Sequence, residues 1–568
     1  MTRTRRSWGS LLRALQDPSR SEFAFVPHQH VYAPTEVITV PYSPTENTPI
    51  NDVSKAPRSH RTGPFRQQAN WFFAMHVLTI GVSCIACAWI ALFPISPNRL
   101  YNIQVDVFNT NHDHTVYFFG QCMYLGMLFG AAIAGYMGDR LGRAGTLELA
   151  AVPYMLGWLM LGVAYGEVSV LLGRYLLGLA GGMMAVTAPI YMAEISAVRT
   201  RGRLLCIHAL FTGIGRLCYV GIGAVFICLS HQYFGFNLSD WKVLSIIGLL
   251  PGLGLLLLAQ RLPGSPTWLV VRHNDHETAF AILHKLFCND YVRAEQELNG
   301  IVHANILSCE EHTHHGAFFR PLLLCCTLFS LRAIASFLIE PRLSQTPTET
   351  FVVTVFGVNL DVGDVQLLTV LSLLWVALSV GTLGCFLVVD YRGRVAALQA
   401  GCIMVLVGCM LVLLTAYRQE QSSLQVTEVG SATLLLITAG HQLGLGIVPL
   451  VAASELFPAR QRSGAVSLVI IAETLTNLGL SSLVPWLRET LSFGQVFHLS
   501  VLAVIMCNTL GIFIAWFYLP ETSQRSLQSI EAIISGWYPD TPTMSRRQSR
   551  VRLAGSSNDM NRSYGTPI

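Results

Sequence analysis

Residues 135–143 read GYMGDRLGR and residues 390–394 read DYRGR. Each follows a long apolar run, and each sets an acid four residues before an arginine: Asp139 with Arg143, Asp390 with Arg394. A second echo follows the same logic, EISAVRTRGR from Glu194 to Arg203 and ELFPARQRS from Glu455 to Ser463. Apolar stretches fall near 71–93, 117–137, 146–165, 168–190, 204–229 and 242–260, then near 321–341, 366–389, 395–417, 431–453, 464–487 and 496–518. The echoes come after the second and eighth stretches and after the fourth and tenth. Matching motifs at matching places mean an internal duplication of six spans, the organisation of transporters that rock two bundles about a midplane site.

Composition agrees with lipid as the solvent. Of 568 residues 52% are hydrophobic and 12% charged, against roughly a quarter charged in soluble domains, and the mean hydropathy is +0.48. Runs of about 20 apolar residues cross a bilayer singly only as helices, and no alternating barrel pattern is present. The expected fold is an all-α membrane protein of twelve transmembrane helices in two six-helix bundles, residues 71–260 and 321–520, joined by a 261–320 linker. The formal net charge of +4 does not indicate nucleic acid, because the basic residues are dispersed without an aromatic platform.

Residues 1–70 are polar and rich in Pro, Ser, Thr and Arg, and read as a disordered tail; 521–568 form a second tail. The first long apolar run begins only at Trp71, so it reads as a retained helix and not a signal peptide. About 29 of the Lys and Arg residues fall in the tails and the loops on their side, and about 6 (Arg99, Arg174, Lys242, Arg342, Arg418, Arg488) on the other, which puts both termini and the linker in the cytoplasm. The 14 cysteines avoid the expected outer loops, so no structural disulfide is expected, and the CxxC at Cys84 and Cys87 reads as helix packing.

These motifs resemble those of the major facilitator superfamily, and within it the sugar porter family, over roughly residues 71–535. The resemblance is carried by GYMGDRLGR, by GRYLLGLAGGMMAVTAPIYMAEISAVRTRG (Gly173 to Gly202), by LPGSPTWL (Leu262 to Leu269), by SELFPARQR (Ser454 to Arg462) and by LPETSQRSLQSIE (Leu519 to Glu531). The short first outer loop, about 94–116, argues against the organic-cation branch. The resemblance implies the two-bundle fold, alternating access and an integral, plasma-membrane protein. It assigns a gate to Asp139, Arg143, Glu194, Arg201, Asp390, Arg394, Glu455 and Arg462, whose charge-assisted pairs would close one end in one state and part in the other. The competing reading is that these residues only mark inside topology. Two departures thin the expected network: the family's PESPRW stands as Pro263, Gly264, Ser265, Pro266, Thr267, Trp268, and the Gly after the last arginine is Ser463.

The substrate positions depart further. The family's fifth-span Gln falls on Ala209, its paired seventh-span Gln on Arg332 and Ala333, the following Asn on Leu338, its tenth-span Trp on Leu450 and its eleventh-span Asn on Glu473. Arg216 and Arg332 lie deep in their spans, at a cost of about 2.5–3.5 kcal/mol each unless a cavity or partner compensates. With His441 and Glu473 they suggest a site for an organic anion or zwitterion. The alternatives are a hexose or disaccharide facilitator with displaced contacts, an Arg216–Glu473 or Arg332–Glu473 pair that only holds the halves together, and a transport-dead receptor or sensor whose tails meet intracellular partners. No acid lies between Trp71 and Phe93, where the family's proton-coupled members carry an Asp, so facilitated diffusion is expected, with Glu473 and His441 as the remaining proton candidates.

The remaining signals are slight. The HTHH run with His312, His314 and His315 lacks partner ligands, so no metal is expected, and no cofactor either, since there is no phosphate-binding GxxxxGK[ST] loop. No nucleophile and base stand together, which excludes an enzyme reading. Asn237 and Asn561 head glycosylation sequons, the second in the expected cytoplasmic tail. Within the linker, Asp275 to Leu286 and Ala294 to Leu307 have amphipathic helical spacing.

Overall fold

Lipid offers no partner to a backbone N–H or C=O, so each apolar run closes its own hydrogen bonds as a helix. A computed structural model of the chain describes residues 64–93, 114–232, 240–310, 315–339, 364–419, 426–527 and 529–530. The first half contains α1 (Pro64–Leu92), α2 (His114–Arg140), α3 (Gly142–Gly162), α4 (Glu167–Ile195), α5 (Arg201–Gln232) and a sixth span broken into α6 (Asp240–Ile247) and α7 (Leu249–Ala259). The linker carries α8 (Pro266–His273), α9 (His276–Leu286) and α10 (Tyr291–Glu310). The second half contains α11 (His315–Ile339), α12 (Asp364–Val388), α13 (Arg394–Gln419), a tenth span made of α14 (Val426–His441), a π turn (Gln442–Gly446) and α15 (Val448–Leu456), then α16 (Arg462–Thr490) and α17 (Phe493–Phe517). Among the described residues eleven helices are long and apolar enough to cross a membrane, and α12 supplies the twelfth span.

The boundaries differ from the hydropathy reading where polar residues extend a helix beyond lipid. The first helix begins at Pro64, within the stretch expected to be tail. Linker helix α8 was not anticipated; its signals are local, with Ser265 as N-cap accepting from Trp268 N, Pro266 in the first turn and Asn274 closing it at φ 54°. Asp275 caps α9 by accepting from Thr278 N at 3.0 Å. That bond holds its carboxyl below the usual carboxylate range. The sequons at Asn237 and Asn561, His312 and His314 lie outside the described residues.

Within the halves the spans pack through small residues. A Cβ at Gly126 or Gly130 of α2 would come within 2.1 or 2.0 Å of the Tyr175 or Leu179 carbonyl oxygen of α4, and one at Gly178 or Gly182 would meet the Met123 or Met127 oxygen just as closely. Two four-residue glycine spacings therefore let these backbones touch, as in small-residue membrane pairs. Between the halves, α2 packs on α16 and α5 on α12.

Candidate functional site

The two echoed motifs meet at the end of the molecule that carries the linker helices. In the first half, the Gly142 backbone takes φ +76° and turns α2 into α3. Arg143, 3% exposed, donates to the Gly138 carbonyl at 2.9 Å and to Glu194 Oε1 at 2.9 Å. Glu194 also accepts from Arg462 of the other half at 3.3 Å and from the Ser265 hydroxyl. The second half repeats this. Gly393 takes φ +101°, and Arg394 donates to the Val389 carbonyl at 3.1 Å and to Glu455 at 2.8 Å. Glu455 faces Arg201 of the first half at 3.9 Å and accepts from the Thr522 hydroxyl at 2.5 Å.

Each glutamate is thus held by an arginine from its own half, an arginine from the other and a hydroxyl that follows its half's last span. Ser265 in LPGS and Thr522 in LPET occupy the same place in the duplicated unit. The eight charged residues singled out in the sequence are all in this cluster. What the sequence reading missed are the two hydroxyls and the segment 521–525, which it assigned to a tail. Glu521 accepts from Arg394 N at 3.1 Å and Val395 N at 3.2 Å, capping α13, and the Arg525 carbonyl accepts from Arg201 at 3.4 Å.

The aspartates differ. Asp390, buried, pairs with Arg394 at 2.9 Å and accepts from Gly202 N at 3.2 Å and Arg203 N at 2.9 Å across the halves. Asp139 is 28% exposed and lies 3.9 Å from Arg143. It takes a second guanidinium from Arg272, which also donates to the Arg460 carbonyl at 3.1 Å. Arg272 stands five residues beyond Thr267, where the family's arginine is missing, so α8 returns that charge from its other end.

Toward the membrane centre the halves enclose a cavity of about 130 Å³, lined by residues of α4, α5, α11, α12, the π turn, α15 and α16. At about 10–15 Å³ per water it has room for on the order of ten waters. Four of the altered family positions line it, Ala209, Arg332, Leu450 and Glu473, whereas Ala333 and Leu338 do not. Arg332 Nε lies 3.5 Å from Glu473 Oε1, with the two side chains 25% and 18% exposed. Both belong to the second half, so this pair does not join the halves. Arg216 reaches across instead, its guanidinium 4.3 Å from the Trp375 ring centre of α12. His441 departs from the expected substrate contact: it is buried outside the lining, its Nε2 2.9 Å from Ser336 Oγ, and Ser336 lines the cavity. His208, Thr212, Ser379, Thr382 and Gln442 add polar groups that the sequence reading did not single out.

Arg174, which charge counting placed on the outer side, lies toward the end of α4 away from the linker and is 2% exposed. It donates to the Ile90 carbonyl of α1 at 3.1 Å and to Met123 Sδ at 3.3 Å, with its guanidinium 4.6 Å from the Phe119 ring centre. A carbonyl, a polarisable sulfur and an aromatic face offset its desolvation in place of an outer headgroup.

Comparisons with known proteins agree with this architecture. Sugar transporter ERD6-like 8 of Arabidopsis thaliana is 26% identical over 73% of this chain and 84% of its own length, and ERD6-like 15 of the same plant is 26% identical over 81% and 92%. The facilitated trehalose transporter Tret1 of Drosophila grimshawi is 26% identical over 73% of this chain, which spans 43% of that longer protein. Among solved structures, the proton:xylose symporter XylE bound to 6-bromo-6-deoxy-D-glucose superposes with a TM-score of 0.70 at 19% identity, over 82% of this chain and 99% of XylE. The family model described as sugar (and other) transporter matches residues 85–534. With twelve spans, duplicated charge motifs and a central polar cavity, the chain has the fold of the major facilitator structures and belongs to the sugar transporter family.

Proposed function

We propose that this chain carries a small hydroxylated solute across the plasma membrane by alternating access and passive diffusion, and that the solute bears an acidic group. The observation that carries the reading is the charge of the cavity wall: two guanidiniums, Arg216 and Arg332, against one carboxylate, Glu473, among hydroxyls and an amide. Such a wall is net positive and offers donors to a carboxylate or sulfate alongside partners for hydroxyls. The linker end faces the cytoplasm, and the cross-half pairs Arg462–Glu194, Arg201–Glu455 and Asp390 with the Gly202 and Arg203 amides form the gate there. Passive transport is supported by the first span, which carries no acid between Trp71 and Phe93. A second reading, a neutral hexose or disaccharide, is supported by the 3.5 Å Arg332–Glu473 pair, which neutralises part of the wall, and by relatives described as sugar and trehalose transporters.

Thermal stability of the purified protein against glucose, trehalose, glucuronate, sulfate and glycine betaine separates these readings, since a ligand of the folded state raises the melting temperature by mass action. Glucuronate or sulfate should raise it, and Arg332→Gln should weaken that effect about tenfold or more in concentration, the worth of a charged hydrogen bond. A rise with neutral sugars alone refutes the acidic solute. No rise with any probe favours the receptor reading.

A further inference from the structure

Two buried thiols meet where the halves meet. Cys206 lies four residues beyond Gly202 on α5, and Cys385 lies five residues before Asp390 on α12. At about 1.5 Å per residue, both sit roughly one to one and a half helical turns from the charged cluster, toward the membrane centre. Their sulfurs are 3.6 Å apart, in van der Waals contact, with the residues 1% and 0% exposed. Helix α5 belongs to the first half and α12 to the second, so a bond between these atoms would join the halves covalently beside the hydrogen bonds from Gly202 and Arg203 to Asp390. Neither cysteine lines the cavity, and neither takes part in the charge network.

We propose that Cys206 and Cys385 are a redox-sensitive dithiol whose oxidation to a disulfide locks the linker end shut. The lock rests on the alternating-access reading, whereas the pairing of the thiols does not. Closed, both sulfurs are out of reach of solutes; when the end opens, α5 and α12 part and the cytoplasmic phase reaches them. Hydrogen peroxide is the oxidant: one thiolate attacks its O–O bond, giving a sulfenic acid and, with one proton, water. On closing, the second thiol attacks the sulfenic sulfur, forming the S–S bond as the hydroxyl leaves with the thiol proton as a second water. The two sulfurs lose two electrons in all, and the peroxide is reduced to water. Because the closed end shelters both sulfurs, cellular thiols reverse the bond by exchange only when the seam between α5 and α12 opens locally. The oxidised molecule is held with its linker end closed.

The test uses the full chain in lipid nanodiscs, treated with hydrogen peroxide and alkylated. Non-reducing digestion and mass spectrometry read the Cys206–Cys385 linked peptide, and amide exchange at Gly202 and Arg203 reads opening, with no substrate required. The linked peptide should form in the wild type and not in Cys206→Ser or Cys385→Ser. Exchange at both amides should slow by about tenfold or more, the melting temperature should rise by several degrees, and dithiothreitol present during the digestion should remove the linked peptide. Absence of the linked peptide while those amides still exchange in the untreated protein overturns the dithiol and leaves alternating access standing. A linked peptide with unchanged exchange overturns the lock and counts against opening at this end. Equal slowing in Cys206→Ser assigns the effect to another site and overturns the proposal.

Discussion

The two glutamate clusters were built from one duplicated unit, yet they are not equally strong. Glu194 and Glu455 have the same three kinds of donor, but the residue before the donor hydroxyl is Gly264 in one unit and Glu521 in the other. Glu521 caps α13 through two amides, a service Gly264 cannot perform for α3. The aspartates follow suit, Asp390 at 4% exposure with two cross-half amides and Asp139 at 28%. Duplication supplies the frame, and the two units differ in how many partners their carboxylates keep.

That inequality can be broken experimentally. Arg394→Ala strips charged partners from two buried carboxylates, Asp390 and Glu455, and should cost about 3–5 kcal/mol. Arg143→Ala strips Glu194, which keeps Arg462 and Ser265, so its melting temperature should fall less; equal losses would make the two clusters equivalent. Next in size, Asp390→Ala leaves two amides and a guanidinium short of an acceptor and should cost about 2–3 kcal/mol. Asp139→Ala, partly exposed, should cost about 0–1 kcal/mol, and chemical denaturation of the two variants side by side checks the order.

The turns give a smaller contrast. Alanine at Gly393 or Gly142 meets a backbone penalty of about 1–2 kcal/mol. Its Cβ would also lie 2.3 Å from Glu521 Oε2 at Gly393, against 3.0 Å from the Trp268 ring at Gly142. Gly393→Ala should therefore be the worse variant in a thermal melt, and the reverse order would put Glu521 elsewhere. Gly264→Glu sharpens the comparison by restoring the missing acid. A Cβ there sits 3.4 Å from Trp268, in ordinary contact, and a carboxylate capping α3 should stabilise by about 0.5–1 kcal/mol.

The least of these effects is one of pH. Glu297 of α10 shares a small pocket with Glu194, Arg201 and Arg462, and burial raises its pKa although Arg201 and Arg293 pull the other way. The folded state therefore holds the proton more tightly than the unfolded one. Its contribution is fully present below the ordinary glutamate value and is lost as pH rises through the raised one. Glu297→Gln should flatten that limb of the melting temperature against pH, and an unchanged limb would remove Glu297 from the account.

Twelve spans and the eight charged residues of both clusters were legible because insertion into lipid demands long apolar runs and because a duplicated unit writes its charged residues twice. Ser265, Thr522 and Arg272 were not, since a hydroxyl or an arginine in a polar segment has no periodicity, and only the fold brings residue 265 to residue 194. Counting charges did not show that Arg174 is buried, because that count cannot see a carbonyl, a sulfur and a ring inside a helix bundle. In the cavity, alignment pointed to Ala209, Arg332, Leu450 and Glu473, but Arg216 on Trp375 and His441 behind Ser336 depend on helix rotation, which one sequence does not encode locally.

The reach of Glu194 also has a meaning for biosynthesis. Its partner Arg462 lies 268 residues later, which at about 5–20 residues per second is roughly 15 to 50 s of translation. For that interval the newborn first half is threaded through the bilayer with its carboxylate matched only by neighbours already made. Arrival of the eleventh span is thus a chemical checkpoint: a chain stalled short of it leaves Glu194 with Arg143 and Ser265 but without the arginine of the other half.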